Sequence, residues 1–599
     1  TTFKTLALKK SNFNKFPSVA INGLSAFEGW AEILDTINTN LSEAGSAGRK
    51  TIVIECYQGV IIQPFITQLE KSIPGLKCIN AEVALRSNEE IAEMVYPFVT
   101  DDPVFGYITS LTIQQFFDPE KIQRLQAELA DTPGIRCIYG TGASLIAPDP
   151  GIFIYADMPR WEIQLRFRRN EVSNLGADNK EAEFSYQYRR AFFVDWRVLD
   201  RFKQDLFSKW DYILDTTSAA QPKMVSGEDY FKSLELTAGQ PFRVVPFFDP
   251  GPWGGQWLKE VCDLDRSATN YAWGFDCVPE ENSLLLNFEG VLFETPAINL
   301  VFCQPKQLLG KKVYEAFGAE FPIRFDFLDT MQGGNLSLQV HPLKSYIREK
   351  FGMAYTQDES YYMLEAADDA IAFLGLNENI KPEKMLAALE DAQQNGVSFP
   401  AEEYVQKWTI KKHDHLLIPA GTVHCSGANS VVLEISATPY IFTFKLWDWD
   451  RPGLDGKPRP ISLEHGKNSI QWDRTTTWVK NNIINHIHKV AEGDGWTEES
   501  TGLHPDSFIE TRRHRFTKKV THNTNGVVNV INLVEGSEII VESPSGAFAP
   551  MVIHYVETFI VPAAVGAYTI RPYGESEGKT CVTMKAYVRK DNLIDYRIN

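Results

Sequence analysis

Gly333-Gly-Asn-Leu-Ser-Leu-Gln-Val-His-Pro-Leu-Lys344 is the stretch on which the reading of this chain turns. Side chains alternate between the two faces of a strand, so Ser337, Gln339 and His341 share one face while Leu336, Leu338 and Val340 take the other. An amide oxygen and an imidazole therefore stand side by side on a strand whose opposite face is apolar. Further on, Gln357-Asp-Glu-Ser-Tyr-Tyr-Met363 places Glu359 in an extended, aromatic-rich run. Leu417-Ile-Pro-Ala-Gly-Thr-Val-His424 reads as a strand, a tight glycine turn and a histidine. Gln339, His341, Glu359 and His424 supply the oxygen and nitrogen donors that a catalytic Zn²⁺ accepts, and other divalent ions share that taste. His413 and His415, in Lys412-His-Asp-His-Leu-Leu, are the other two histidines that could converge with these.

Around this stretch the texture is that of a β protein. From about Pro222 onward, Gly, Pro and aromatic residues punctuate short strand-sized runs, and a helix-like interval between Lys381 and Asn395 interrupts them. Strand-sized runs return from Phe516 to Val588, which predicts a sandwich or barrel. Ile418-Pro-Ala-Gly421 and Val561-Pro-Ala-Ala564 look like one structural phrase used twice, as two related barrels would produce. Residues 49 to 217 differ: β-rich runs at Thr51–Glu55, Lys77–Ile79, Ile135–Tyr139 and Ile152–Tyr155 alternate with amphipathic stretches, the signature of a parallel α/β sheet. The expected organisation is an α/β domain over 1–225, a metal-binding β domain with a helical insertion over 226–480, and a second β domain over 481–599.

The chain has 599 residues, 44% hydrophobic and 23% charged, enough for several packed cores. Its formal net charge of −18 repels phosphodiester backbones over most of the surface and argues against nucleic acid as a partner. Eight cysteines without a CxxC spacing read as buried thiols of a reducing compartment. The first sixteen residues lack the apolar core of a signal peptide, and no run of about 18 uncharged apolar residues occurs, so the expectation is a cytoplasmic protein with no membrane partner.

Gln339-Val-His-Pro342, Asp358-Glu-Ser-Tyr-Tyr362, Pro419-Ala-Gly-Thr-Val-His424, Val431-Val-Leu-Glu-Ile-Ser436 and Leu446-Trp-Asp-Trp-Asp-Arg451 occur in an order that resembles the type I phosphomannose isomerases, which are cupin proteins. The resemblance extends to Pro250-Gly-Pro-Trp-Gly-Gly255 and Asp455-Gly-Lys-Pro-Arg459 and covers roughly residues 240 to 599. It implies a double-cupin (jelly-roll) region, one zinc held by Gln339, His341, Glu359 and His424, and interconversion of mannose 6-phosphate and fructose 6-phosphate through an enediol. Glu434 is the implied base, Arg451 and Lys344 the catalytic cations, and Ser337, Lys457 and Arg459 the contacts to a sugar phosphate. Gln357 departs from the family, whose members commonly carry Lys there. That departure leaves open that Lys344 substitutes for the missing lysine, that the chain is an isomerase of another sugar, or that it is a sugar-binding regulator without turnover.

In the first half, Cys56-Tyr-Gln-Gly-Val-Ile-Ile-Gln63 after the first strand, and Ile152–Pro159 leading into a basic helix, resemble a decayed P-loop kinase domain. Only Gly59 is present where a phosphate loop needs two glycines, a Lys and a Ser or Thr, so no nucleotide is expected there.

Overall fold

The computed structural model describes residues 10–46, 50–437, 441–502, 504–591 and 593–597. The chain divides into two compact units. One comprises Ser18–Leu236 and Ser283–Cys303; the other comprises the N-terminal stretch up to Pro17, Thr237–Asn282 and Gln304–Asn599.

In the first unit the parallel sheet is present. Lys77–Asn80, Arg136–Gly140, Thr51–Cys56, Ile152–Asp157 and Tyr212–Asp215 lie side by side in that order, all parallel, and Lys223–Ser226 and Phe27–Glu28 extend the edge antiparallel. The near-continuous apolar run of Thr51–Cys56 is what a strand covered on both faces requires, and Ile52, Val53 and Ile54 are fully buried. The polar groups that end these strands are bound internally. The Glu55 carboxylate accepts from the Gly142 and Ser144 amides at 2.6 and 2.8 Å, and Gly59 O accepts from Arg166 Nη1 at 2.7 Å.

The boundary expected at residue 225 is corrected to Leu236/Thr237, and Ser283–Cys303, inside the range expected for the metal-binding β domain, belongs to the first unit. Ser283–Phe288 and Val291–Pro296 form a three-stranded sheet with Ser18–Ile21, which pairs parallel to Ser283–Phe288. Asp157 explains the attraction: its carboxylate takes two 2.8 Å bonds from the buried Lys203 ammonium and a third from Asn299 Nδ2, just beyond the hairpin. A buried charge is tolerated when paired and hydrogen-bonded in this way. The sequence pattern of a hairpin carries no address for its partner.

The second unit is built from two pairs of antiparallel sheets. In the first pair, His415–Ile418, Glu359–Ala366, Ser430–Ala437, Ile323–Asp329, Trp273–Cys277 and Phe247–Asp249 form six strands in that order. Val405–Thr409, Ile371–Leu376, His424–Ser426, Leu338–Val340 and Phe444–Trp447 form five. In the second pair, Thr558–Val561, Asn529–Glu535, Cys581–Val588, Ile509–Phe516, Trp496–Ser500 and His488–Gly493 face Met551–His554, Glu538–Glu542, Ala567–Pro572 and Val520–Asn523. Leu533, Phe559 and Phe516 from one sheet and Val541, Ile570 and Val520 from the other share the apolar core between them.

The two pairs repeat one another. Eight strands occur in the same chain order and the same neighbour order in each, from Ile323–Asp329 to Ser430–Ala437 and from Ile509–Phe516 to Cys581–Val588. The repeated Ile418 and Val561 phrases close the equivalent edge strands, pairing with Glu359 and Asn529 respectively. The helical interruption is the helix Pro382–Asn395, which starts with proline at its first position and stops at Gly396 in the left-handed conformation.

Candidate metal centre

Gln339 lies directly opposite His424 across the ladder between Leu338–Val340 and His424–Ser426, with His341 one residue beyond the strand. Glu359 reaches this pair from the other sheet. Its Oε1 lies 3.1 Å from His341 Nε2 and 2.9 Å from His424 Nε2, and all three side chains are buried. Each imidazole is anchored through its other nitrogen: Nδ1 of His341 meets Phe442 O and Nδ1 of His424 meets Thr422 O, both at 2.8 Å. A carbonyl can only accept, so both Nδ1 atoms carry protons, and each ring in its neutral form turns an Nε2 lone pair toward the carboxylate. None of the three facing atoms has a hydrogen-bond partner. Three electron-rich atoms converging in a buried site are the donor set of a cation, and each histidine has the backbone-carbonyl support that fixes a metal ligand's tautomer. Among the described residues, these three form the one acidic and imidazole cluster compact enough to hold a metal ion.

Charge couples the three groups. Burial alone would raise the Glu359 carboxyl, yet the two imidazoles hold it well below the usual carboxylate range. Burial works to lower His341, and the Glu359 charge outweighs it and holds His341 up. Gln357, where the resemblance leads one to expect a lysine, donates from Nε2 to Glu359 Oε2 at 3.1 Å. An amide thus orients the carboxylate without adding a charge.

The tight turn that delivers His424 depends on Gly421. Its φ is +87°, and a Cβ there would come within 2.6 Å of Gln471 Cγ and 2.9 Å of Ser469 O. The Gly421 amide also donates to His341 O at 3.0 Å, tying the His341 and His424 segments together.

Glu434 stands on the same inner face. Arg324 pairs with Ser436, and Ser436 with Glu359; in the next row Asp326 pairs with Glu434, and Glu434 with Tyr361. The Arg324 Nη2 lies 2.9 Å from Asp326 Oδ2 and 3.1 Å from Glu434 Oε1. Burial pushes the Glu434 carboxyl well above its ordinary value, Arg324 pulls back, and Asp326 and Glu359 add to the rise. Asp326 is pushed up to about 6 by burial, with Arg324 opposing. Sequence reasoning missed Arg324 and Asp326. Their signal is the alternation Ile323-Arg-Phe-Asp-Phe, which also describes a strand with one face in water.

Ser337, Arg451 and Arg459 gather around Asp448. Asp448 Oδ1 accepts from Ser337 Oγ and Arg451 Nη2, both at 2.9 Å, while Arg459 donates to Asp448 Oδ2 through Nε at 2.7 Å and to Ser337 Oγ through Nη2 at 2.8 Å. Lys344 is not brought into either group. It is exposed at the start of the helix Lys344–Phe351, donates to Asp506 O at 2.9 Å, and lines the cavity of the second sheet pair. Lys457 is an exposed turn residue whose amide donates to Asp455 Oδ1. A cation that the reading overlooked is Lys445, directly opposite Gln339 on the other side from His424, with its ammonium lowered to about 8 by burial and by Arg459. His413 occupies a left-handed turn at φ +71°, and His415 begins the following strand.

A family described as a domain of unknown function (DUF8485) matches residues 29–239. The P-loop kinase resemblance of that region is not borne out. The mannose-6-phosphate isomerase ManA of Bacillus subtilis (strain 168) is 24% identical over 248 residues, 41% of this chain and 72% of its own length. The mannose-6-phosphate isomerase of Streptococcus mutans serotype c is 26% identical over 214 residues, 35% of this chain and 62% of its own length. The solved mannose 6-phosphate isomerase from Bacillus subtilis aligns with 58% of this chain and 100% of its own, at 17% identity and a TM-score of 0.47. Over part of its length, the chain is homologous to the mannose-6-phosphate isomerases.

Proposed function

We propose that this chain is a metal-dependent aldose–ketose isomerase that interconverts mannose 6-phosphate and fructose 6-phosphate. The observation that carries the reading is the convergence of His341, His424 and Glu359 with their electron-rich atoms unpartnered and buried. Gln339, opposite His424, completes a four-donor set, and zinc suits its mixture of nitrogen and oxygen donors. A bound divalent ion supplies Lewis acidity that polarises a sugar carbonyl and stabilises negative charge developing on oxygen.

The reaction moves a proton between C1 and C2. Glu434 suits that work, because burial raises its carboxyl well above the ordinary value and so makes it a stronger base than an ordinary carboxylate. Arg324 fixes the Glu434 carboxyl through Oε1 and limits the rise in its basicity. Lys445 presents an ammonium beside the Gln339 ligand. Arg451 and Arg459, oriented by Asp448, supply planar cations suited to a phosphate group, with Ser337 bonded into the same cluster. Lys344 and Lys457 have no part in this assignment.

The test is a coupled assay for fructose 6-phosphate on zinc-loaded and chelator-stripped protein, run with a panel of phosphorylated and free sugars. The reading requires turnover of mannose 6-phosphate that disappears with the metal and falls at least a hundredfold in Glu434→Gln. Gln357 favours a second reading, an isomerase of a different sugar phosphate, since an amide replaces the family's ammonium beside the metal. Turnover confined to another panel member would establish that reading. Tight sugar binding without turnover on any member would overturn both.

A further inference from the structure

The internal repeat gives the second sheet pair a counterpart of the first pair's site. Rows of directly paired residues correspond strand for strand: Arg324, Ser436, Glu359 and Ile418 in the first sheet pair, Glu510, Tyr587, Asn529 and Val561 in the second. The adjoining row Asp326, Glu434, Tyr361 corresponds to Arg512, Lys585, Ile531. In the facing sheets, the Gln339–His424 pair is matched by His522–Tyr568. Even the contact between sheets persists: where His424 meets Glu359, the Tyr568 hydroxyl donates to Asn529 Oδ1 at 2.7 Å.

The geometry is kept and the charge is inverted. Asn529 replaces a ligand carboxylate, Lys585 replaces Glu434 and Arg512 replaces Asp326. These residues open on a cavity of about 870 Å³, which the polar half of the inner face lines. The Lys585 ammonium is buried, and its hydrogen-bond partner is the neutral His522 ring at 3.4 Å. Among the described residues, no carboxylate lies within ion-pair distance of it. The two nearby acids are engaged elsewhere. Glu510 accepts from Arg589 at 2.8 Å and pairs with Arg512 Nε at 3.1 Å, while Glu498 lies between His514 and Arg512 at 3.6 and 3.7 Å. Burial lowers the ammonium to about 8, with the more distant Glu498 charge opposing and Arg512 adding to the fall. A buried cation with no carboxylate in direct contact is costly unless an anion completes it.

We propose that the second sheet pair holds a small oxyanionic ligand, a molecule with a phosphate or carboxylate head group seated between Lys585 and Arg512, at the position where the first pair holds its metal centre. The cavity has room for a monosaccharide-sized body behind the head group.

The test uses the full chain, titrated calorimetrically with inorganic phosphate at constant ionic strength, with acetate in a parallel arm to distinguish phosphate from carboxylate. In a background of Arg451→Met/Arg459→Met, which removes the cationic cluster of the first sheet pair, binding of one or the other oxyanion should persist, weaken at least tenfold on adding Lys585→Met and return with Lys585→Arg. Equal affinity with and without Lys585→Met in that background, or no binding of either anion there, would overturn the proposal. A readout on the wild-type chain covers the case in which Lys585→Met does not fold. Pyridoxal 5′-phosphate followed by borohydride should label Lys585, and the oxyanion that binds should protect it; labelling confined to other lysines would refute the site.

Discussion

His341 and His424 each spend one ring nitrogen on a backbone carbonyl, so truncating either removes a metal ligand without disturbing a side-chain network. We expect His341→Ala and His424→Ala to lower metal affinity by at least tenfold, read as bound metal per chain after dialysis, and Gln339→Ala to lower it less, because a neutral amide is the weakest donor of the set. Retention of one metal per chain in either histidine variant would remove the ligand assignment. Arg324 is the opposite kind of residue, since it serves two buried carboxyls at once. Arg324→Met should cost about 3–5 kcal/mol, the range for breaking a buried ion pair from one side, measured by chemical denaturation. The clustering of His341, Glu359 and His424 was legible because short motifs such as Gln-Val-His and Pro-Ala-Gly-Thr-Val-His state side-chain chemistry and strand direction together. Arg324 and Asp326 were not, because charge on alternate residues of a strand ordinarily marks a solvent face, and only the sheet that covers them makes them interior.

Turns and strand ends set the precision of these sites. Gly421→Ala should destabilise the fold by about 1–3 kcal/mol and weaken metal binding along with it, since it imposes both a left-handed φ and a close contact on the turn that carries His424. A metal affinity unchanged by this substitution would show that His424 is positioned from elsewhere. In the parallel sheet, Glu55 ends the strand Thr51–Cys56 and holds the Gly142 and Ser144 amides, and burial raises its carboxyl to about 7 against those bonds. A folded-state value above the ordinary one means that the folded chain retains a proton the unfolded chain gives up. The resulting stability is fully present below pH 4.5 and is lost as pH rises through 7, by about 3 kcal/mol across the window. Glu55→Gln abolishes that dependence, so the melting temperature of the wild type should fall relative to the variant between pH 5 and pH 8; parallel curves would refute the assignment. Lys344 shows the limit of motif reading at this scale. Three residues beyond His341 in sequence, it opens a helix whose first turn faces solvent, and its ammonium goes to Asp506 O.

At the scale of the whole molecule, the parallel sheet and the β-rich half were legible from periodicity, and the repeated Pro-Ala phrase already signalled the duplicated sheet pair. The path of the chain was not legible, because a hairpin's pattern specifies strand pairing and leaves its neighbours undetermined. Ser283–Cys303 returns to the first unit, while Ser11 and Asn14 bind into the second, Ser11 Oγ to Val261 O and the Asn14 amide to Glu557 Oε1. The division at residue 225 would have made the β-rich half an independent piece, and the pairing of Ser18–Ile21 with Ser283–Phe288 contradicts that. A chain beginning at Lys223 loses this strand and the sheet behind it, leaving Leu284, Leu286 and Phe293, now fully buried, without their cover. Each such side chain is worth about 1.5–3 kcal/mol when withdrawn from water. We therefore expect the truncated chain to aggregate, as read by size-exclusion chromatography. Converting the three residues to Thr in the truncated chain should recover soluble protein that still binds one metal. A truncation that stays monomeric with its native hairpin would show that Ser283–Cys303 needs nothing from the first 222 residues.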